Sequence, residues 1–327
     1  EAPVHKRRVR YKGTHPRRFE EKYKEHDPEK YKDEVEKIIQ KGKTPAGMHI
    51  SIMVEEILEF LQIKPGQIGY DATLGYGGHT RRMLEKLEGQ GHMYATDVDP
   101  IESEKTRKRL ESLGYGPELL TIKRMNFARL DEVAPDQKFD FILADLGVSS
   151  MQIDNPDRGF TFKHDGPLDL RLDPSAGVSA AQRLKELDKE ELINMLAENS
   201  DEPYAEEIAR TIMKTFKKKR PIETTRQLYA VIEQALSFLP EKERKEAVKK
   251  SAQRTFQALR IDVNSEFEVL YSFLEKLPTV LKPGGRVAVL TFHSGEDRLV
   301  KQAFRQHQRD GIYSNVAQDV IRPSAEE

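Results

Sequence analysis

The stretch IGYDATLGYGGH, residues 68–79, decides the fold class of this sequence. It begins as a short strand, continues as a glycine-rich loop and leads into a helix predicted near residues 80–88. Glycine has no side chain to obstruct a sharp turn or the close approach of a ligand to the backbone. The stretch therefore predicts a strand, a ligand-binding turn and a helix within an α/β sheet.

Alternating helices and strands continue on both sides of this stretch. Apolar residues from Val54 to Leu61 have helical spacing, and Pro65-Gly66 marks the end of that helix. Asp99-Pro100 is typical of a helix start, with Asp99 as the N-cap. Further strands are predicted over residues 92–99, 119–124 and 139–147. This alternation predicts a parallel, doubly wound sheet.

The second half of the chain interrupts the alternation. Residues 151–178 have no sustained period, helical spacing follows, and Thr224 with Gln227 forms a predicted capping box. A long helix is predicted from near Arg254, and a strand over residues 286–292 returns to the sheet. We therefore expect an α/β domain with an inserted all-helical domain. The predicted segments are a basic N-terminal extension (1–46), the first part of the α/β domain (47–155), the helical insert (156–251) and the second part (252–327).

The composition indicates a charged protein without cysteine chemistry. The 327 residues include 54 Lys and Arg against 55 Asp and Glu, so no overall charge draws the chain to nucleic acid. The absence of cysteine excludes a disulfide scaffold, thiol catalysis and Cys-bound zinc. No apolar run approaches the roughly 18–20 residues that cross a bilayer, so we expect no membrane contact and a cytoplasmic location. His79, His164 and His293 lack the spacing of metal ligands, and no metal site is predicted.

Two basic segments have two interpretations each. Residues 1–46 contain 14 Lys and Arg against 9 Asp and Glu, which is typical of a solvated arm or of an RNA-contacting one. The cluster of Lys214, Lys217, Lys218, Lys219 and Arg220 follows a predicted helix. Positive charge is favourable at that end of a helix, and it also suits an RNA backbone.

The acidic end of the second strand suggests the class of cofactor. Asp97 lies about 20 residues after the glycine loop, where a carboxylate can accept hydrogen bonds from ribose hydroxyls. A dinucleotide needs a third glycine inside the following helix, and the run GYGGHTRR lacks it. S-adenosylmethionine has no phosphate and needs only close backbone approach and a ribose acceptor. The loop therefore favours a methyl donor over a dinucleotide.

Asp145 ends the fourth predicted strand, at the edge where doubly wound sheets bind their substrates. It is the ionisable group that closes an apolar run, and it either caps the following turn or lies beside the transferred group. Phe160 and Phe162 stand in a charged loop. They form either a small core between domains or a platform on which an extruded base stacks.

Longer blocks of the sequence resemble the RsmH (MraW) family of small-subunit ribosomal RNA cytosine-N(4) methyltransferases. The matching blocks are residues 71–79, 97–100, 145–152, 157–173, 254–264 and 292–298. The resemblance implies a Rossmann-like methyltransferase domain with an inserted helical domain. It also implies S-adenosylmethionine as cofactor and methylation of the N(4) amine of a cytidine in 16S rRNA of the small ribosomal subunit.

The resemblance also implies roles for particular residues. The methyl donor is expected at Gly77, Gly78, His79, Asp97, Phe127, Asp145 and Gln152. Asp145 is the expected catalytic residue. Ser149, Ser150, Asn264, His293, Phe160 and Phe162 are weaker candidates for contacts with the RNA substrate.

Three alternatives stay open at the level of sequence. One is a non-catalytic RNA- or ribosome-binding protein on a methyltransferase fold, which the intact Asp97 and Asp145 disfavour. The second is a paralogue that methylates a different RNA. The third is an oxidoreductase with a nucleotide cofactor, which the missing third glycine disfavours. The sequence does not distinguish a monomer from a homodimer.

Overall fold

The computed structural model describes residues 51–323, and its centre is a five-stranded parallel sheet of order β3-β2-β1-β4-β5. The strands are β1 (Ile68–Asp71), β2 (His92–Asp97), β3 (Leu120–Arg124), β4 (Phe139–Asp145) and β5 (Leu281–Leu290). The chain runs from β1 outward to β3 and then crosses to β4 on the other side of β1. The strand order therefore reverses between β1 and β4, where such sheets open a crevice for ligands.

The helices are numbered in chain order. They are α1 (Val54–Leu61), α2 (Gly78–Leu87), α3 (Pro100–Ser112), α4 (Ser150–Asp154), α5 (Ala180–Glu186), α6 (Lys189–Ser200), α7 (Ala205–Lys217), α8 (Thr225–Ala235), α9 (Glu241–Val263), α10 (Glu266–Val280) and α11 (Ser294–Arg309). Short 3₁₀ helices cover Phe127–Glu132 and Pro156–Arg158.

Helices cover both faces of the sheet, as the apolar character of β4 predicts. Phe141 and Leu143 point to one face and belong to the cluster formed with α1, α2 and α3. Ile142 and Ala144 point to the other face and belong to the cluster formed with α10 and α11. A strand buried on both sides is an almost continuous apolar run because neither face meets water. The α/β fold class with a parallel, doubly wound sheet is confirmed.

A third core lies in the helices between β4 and β5. It joins apolar residues of α5 to α9 with Leu168 and Leu170 of the loop that precedes them. The predicted boundary between residues 251 and 252 lies inside α9, and Val248 and Phe256 on its two sides are buried in this same cluster. The division into inserted and flanking segments stays a prediction.

Several predicted boundaries are confirmed and two are wrong. Asp99 caps α3, since its Oδ1 accepts hydrogen bonds from the amides of Ile101 and Glu102. Thr224 and Gln227 form the expected capping box of α8. The long helix α9, however, begins at Glu241 and not near Arg254.

The early start of α9 has a physical reason. Its first turns are almost wholly charged, with Val248 as the first buried side chain, so they carry no apolar period that a sequence pattern could detect. β5 likewise begins at Leu281, before the predicted residue 286, because Leu281 pairs with Phe139 across an irregularity in the ladder.

No helix among residues 51–323 has the length and apolar character needed to cross a membrane. The predicted basic extension over 1–46 lies outside the described residues.

Candidate active site

The carboxyl edge of the sheet brings together the ends of β2, β1 and β4, and each of these strands ends in an aspartate. The residues are Asp97, Asp71 and Asp145, in the order in which the strands lie. Because β1 is central and the strand order reverses beside it, these carboxylates surround the expected ligand crevice.

Asp71 holds the glycine loop to helix α2. It is buried, and its carboxylate accepts hydrogen bonds from the Thr73 amide at 3.0 Å and the Thr80 hydroxyl at 2.6 Å. Burial raises the pKa of Asp71 above its ordinary value, and these two hydrogen bonds oppose the rise. Gly77 is the N-cap of α2 with a φ of +85°, and a Cβ there would come within 2.8 Å of Thr106. A side chain at Gly77 would therefore strain the loop.

Asp97 is held by the backbone on both of its oxygens. Oδ2 accepts a hydrogen bond from the Gly75 amide at 2.9 Å, and Oδ1 accepts one from the Asp99 amide at 2.9 Å. A carboxylate has about four acceptor positions, so each oxygen retains one for a ligand hydroxyl. Burial raises the pKa of Asp97 to about 6, and the two amides oppose the rise. The group is mainly ionised at neutral pH and can accept hydrogen bonds from a ribose.

The space beside Asp97 fits a cofactor that approaches the backbone closely. Gly75 has a φ of +52°, and the nearest atom to a Cβ built on it is the Thr73 carbonyl at 3.9 Å. The next residue, Tyr76, is covered by the guanidinium of Arg109, which lies 3.5 Å from the ring centre. The loop is therefore fixed by its neighbours and open at the glycine that donates to Asp97.

Phe127 is also at this edge, beyond the end of β3. The Met125 amide donates to the Asp97 carbonyl at 3.0 Å, so the chain leaves β3 beside Asp97. Asn126 caps the short helix that Phe127 begins, and the Phe127 ring packs edge-on against Phe273 at 5.1 Å. The ring is half-buried, and its contact with Phe273 fixes its orientation.

Asp145 differs from the other two aspartates because its carboxylate accepts no hydrogen bond from the described residues. No donor among residues 51–323 lies within hydrogen-bonding distance of it, and the imidazole nitrogen His79 Nδ1 lies 3.6 Å away. Its backbone amide donates to the Thr73 hydroxyl at 2.7 Å, which fixes the end of β4 against the glycine loop. Burial raises the pKa of Asp145 to about 6, His79 opposes the rise, and the charges of Asp71 and Glu296 add to it. The side chain retains 30% of its surface exposed and can contact a substrate.

His293 and Glu296 follow β5 at the same edge, and sequence reasoning missed the second of them. Glu296 is 4% exposed and accepts a hydrogen bond from the Phe292 amide at 3.0 Å. The N-cap of α11 is His293, whose Nδ1 accepts a hydrogen bond from the Glu296 amide. The available signal for Glu296 was its position as a charged residue within the block of residues 292–298 that resembles the RsmH family.

A buried ion pair joins the loop after β4 to the end of β2. Asp99 Oδ2 accepts hydrogen bonds from Arg158 Nη1 at 2.7 Å and Gln152 Nε2 at 2.9 Å, and both charged side chains are almost fully buried. Gln152 Oε1 also accepts from the Ser149 amide as part of the capping box that begins α4. Gln152 and Ser149 therefore lie at the edge with their polar groups engaged, and Ser150 follows them as the first residue of α4. Arg158 was not predicted, because no local pattern indicates a partner 59 residues away.

The remaining candidates lie on the helical cluster. The Asn264 side chain accepts from the Leu172 amide and donates to the Leu170 and Arg260 carbonyls, so it fixes the loop over residues 170–172. Phe160 and Phe162 pack against the core of the helical cluster. The ring of Phe162 stacks on Tyr229 at 5.2 Å. Phe160 and the loop that Asn264 fixes are connected to the carboxyl edge through Arg158, whose guanidinium lies 5.8 Å from the Phe160 ring centre and donates to the Leu172 carbonyl.

Comparison with known proteins agrees with this geometry. The MraW methylase family matches residues 46–323 of the chain. A protein of Lachnoclostridium phytofermentans named ribosomal RNA small subunit methyltransferase H 1 is 70% identical over 99% of this chain and 89% of its own length. A protein of the same name from Agathobacter rectalis is 67% identical over 100% of this chain and 94% of its own length. The ribosomal RNA small subunit methyltransferase H of Thioalkalivibrio sulfidiphilus is 43% identical over 80% of this chain and 81% of its own length.

Proposed function

This chain belongs to the MraW methylase family, and we propose that it methylates the exocyclic N(4) amine of a cytidine in 16S rRNA of the small ribosomal subunit. It is a methyltransferase, and its cofactor is S-adenosylmethionine. The proposal rests on the names of relatives that are 67–70% identical over almost the whole chain. It places the protein in the cytoplasm, where ribosomal subunits are, and makes RNA its macromolecular partner.

The residues of the carboxyl edge fit the methyl donor. The free acceptor positions of Asp97 suit ribose hydroxyls, and the open space at Gly75 allows close approach to the backbone. When bound, S-adenosylmethionine supplies an electrophilic methyl group on a sulfonium centre. The residues that we propose to hold it are Gly77, Gly78, His79, Asp97, Phe127, Asp145 and Gln152. Since the Gln152 amide is engaged with Asp99 and Ser149, its part is to fix α4 beside the donor.

Asp145 is the proposed catalytic residue. The exocyclic amine of cytosine is a poor nucleophile because its lone pair is delocalised into the ring. Positive charge develops on the nitrogen as it attacks, and a carboxylate that accepts a hydrogen bond from the amine stabilises that charge where it appears. Asp145 can do this because no donor among residues 51–323 occupies its oxygens and because part of its surface is exposed. It also orients the amine, which lowers the entropic cost of reaching the attacking position.

The proposed chemistry rests on one observation. The Asp145 carboxylate accepts no hydrogen bond from residues 51–323, whereas both oxygens of Asp97 accept one. The test is to incubate the purified protein with labelled donor and small-subunit rRNA, and to map the modified nucleoside by mass. N(4)-methylcytidine in that rRNA is the expected product. Labelled product at another base, or donor binding without turnover on any RNA, would contradict the proposal.

A second candidate is a paralogue that methylates another nucleotide. The two most similar relatives reported above carry the numbered name H 1 and match 99–100% of this chain, whereas the relative named H matches 80% of it. Mapping modified nucleosides in RNA from cells with and without the gene distinguishes the two candidates, since the paralogue leaves the cytidine of small-subunit rRNA unchanged.

A further inference from the structure

A second concave site lies on the helical cluster and shares no residue with the carboxyl edge. It is a cavity of about 200 Å³ between the C-terminal end of α7 and the helix α8. Lys214, Lys218 and Arg220 line it from α7 and the turn that follows, and Gln227 and Gln234 line it from α8. Thr215, Pro221, Ala230 and Val231 complete the lining, so the cavity is open to the surface and has both apolar and cationic walls.

The charge of this cavity is not neutralised by the protein. No carboxylate lines it, and none of its three cationic side chains has an ion-pair partner within the part of the chain that the structure describes. Two other cations of the helical cluster are paired, in the Arg183–Asp262 pair at 2.7 Å and the Lys185–Glu223 pair at 3.4 Å. The cavity therefore differs from those positions in gathering three cations without a carboxylate in its lining.

The helix dipole explains only part of the arrangement. Cations near the last turn of α7 are favourable because the helix end carries partial negative charge. That effect requires only that the cations lie near the helix end. It does not require them to line one common cavity. Lys219, however, has a φ of +56°, and the Arg220 amide then donates to the Thr215 carbonyl at 3.1 Å. This turn brings Arg220 back against the helix, so that it lines the same cavity as Lys214 and Lys218.

Gln227 adds an oriented donor to the wall. Its Oε1 accepts hydrogen bonds from the Glu223 amide at 2.8 Å and the Thr224 amide at 3.1 Å, which fixes the side-chain amide. Its Nε2 has no partner among residues 51–323. The cavity thus offers cations and a fixed N–H, the combination that recognises an anion with several acceptor oxygens.

The size of the cavity limits the ligand. Pockets for drug-sized ligands have volumes of about 300–1,000 Å³, so a cavity of about 200 Å³ suits one phosphate group with part of its sugar and not a complete nucleotide. We propose that it binds one backbone phosphate of the RNA substrate. This inference rests on the proposed function, because it takes RNA as the substrate.

The fold connects this cavity to the sheet edge. Arg226, next to Gln227, donates from its side chain to the Lys163 carbonyl and from its amide to Asp165, so the start of α8 is tied to the loop over residues 156–173. The same loop is tied to Asp99 at the sheet edge through Arg158. Phosphate contacts fix the position of a nucleic acid without reading its sequence. A phosphate held in the cavity would therefore fix the RNA relative to Asp145.

The test is a triple variant, Lys214→Gln, Lys218→Gln and Arg220→Gln, compared with the triple variant Lys242→Gln, Lys245→Gln and Lys249→Gln on the exposed side of α9. Both remove three positive charges from exposed side chains of the helical cluster. The probe is transcribed small-subunit rRNA, titrated at several salt concentrations, with donor binding and melting temperature measured in parallel.

Loss of one phosphate contact lowers the slope of log affinity against log salt by about 0.7–1. At about 0.1 M salt this corresponds to roughly 5- to 10-fold weaker RNA binding. We expect that change in the cavity variant beyond any change in the α9 control, with a matching rise in KM for RNA and unchanged donor affinity.

Equal effects of the two triple variants, or an unchanged salt slope in the cavity variant, would overturn the inference. Failure of the proposed function is distinguishable from this result. In that case the wild-type protein itself would leave small-subunit rRNA unmethylated, whatever the cavity residues are.

Discussion

The carboxyl ends of β2 and β4 both place carboxylates at the same edge of the sheet, but the chain engages them differently. At the end of β2, Asp97 accepts two hydrogen bonds and the nearby Asp99 accepts four, all from this chain. At the end of β4, Asp145 accepts none from residues 51–323. Burial nevertheless raises the pKa of both Asp97 and Asp145 to about 6. The difference indicates that one loop is built to hold a ligand and the other leaves a carboxylate available for chemistry.

The largest expected effect comes from removing the charged partner of Asp99. Replacing Arg158 by Met leaves a buried carboxylate without its charged partner, and we expect a loss of about 3–5 kcal/mol in the free energy of unfolding. Urea unfolding measures this loss. The double variant Asp99→Asn with Arg158→Met keeps an N-cap for α3 and removes both charges, so it should be more stable than Arg158→Met alone. If Arg158→Met had the same free energy of unfolding as the wild type, the ion pair would not stabilise the loop.

The next largest effect concerns the carboxylate of Asp145. Asp145→Asn keeps the shape and one acceptor oxygen but removes the charge, and we expect single-turnover methylation to fall roughly 10²–10³-fold. Donor affinity should change far less. The melting temperature should rise at pH 7, because the ionised form of this group is disfavoured in the folded protein. A variant with the wild-type single-turnover rate would show that another group activates the amine.

The ribose-binding loop should give the opposite result. Asp97→Ala removes the acceptor of the Gly75 and Asp99 amides as well as that of the ligand, and we expect about 1.5–3 kcal/mol less donor affinity by calorimetry. At saturating donor, the single-turnover rate should remain close to that of the wild type. A large loss of rate with unchanged donor affinity would reverse the roles assigned to the two loops.

The smallest effect is the dependence of rate on pH. In the proposed mechanism Asp145 must be ionised to stabilise the positive charge that develops on the amine. With a pKa of about 6 it is mostly ionised at pH 7 and mostly protonated at pH 5. At saturating donor, the single-turnover rate should fall about tenfold from pH 7 to pH 5. Asp145→Asn should give a low rate that does not change over this range. A wild-type profile without this fall would exclude Asp145 as the titrating group.

The raised pKa also affects stability, with the opposite sign. A carboxylate whose pKa is higher in the folded state than in the unfolded state destabilises the fold above that pKa and ceases to do so as the pH falls below it. The gain in melting temperature of Asp145→Asn over the wild type should therefore shrink from pH 7 toward pH 4.

Local patterns predicted the parts of this molecule that local forces determine. The glycine loop, the Asp99 cap of α3 and the Thr224 capping box follow from residues within three positions of one another, and each is confirmed. The charged start of α9 was missed because it buries little and thus carries no period.

The connections that complete the site depend on distant partners. The contact of Arg158 with Asp99 and that of Asn264 with Leu172 link residues 59 and 92 positions apart, and no pattern in a single sequence specifies them. The sequence therefore predicted which residue types stand at the ends of the strands. Which of their polar groups are engaged and which remain available required the structure.

The cluster around Asp99 also has a consequence for the order of events during synthesis. The cap of α3 uses amides two and three residues away, so it can form as soon as that helix leaves the ribosome. Gln152 and Arg158 follow 53 and 59 residues later, which at about 5–20 residues per second is an interval of roughly 3–12 s. The nascent chain can therefore tie the loop after β4 to Asp99 only once Arg158 has been synthesised.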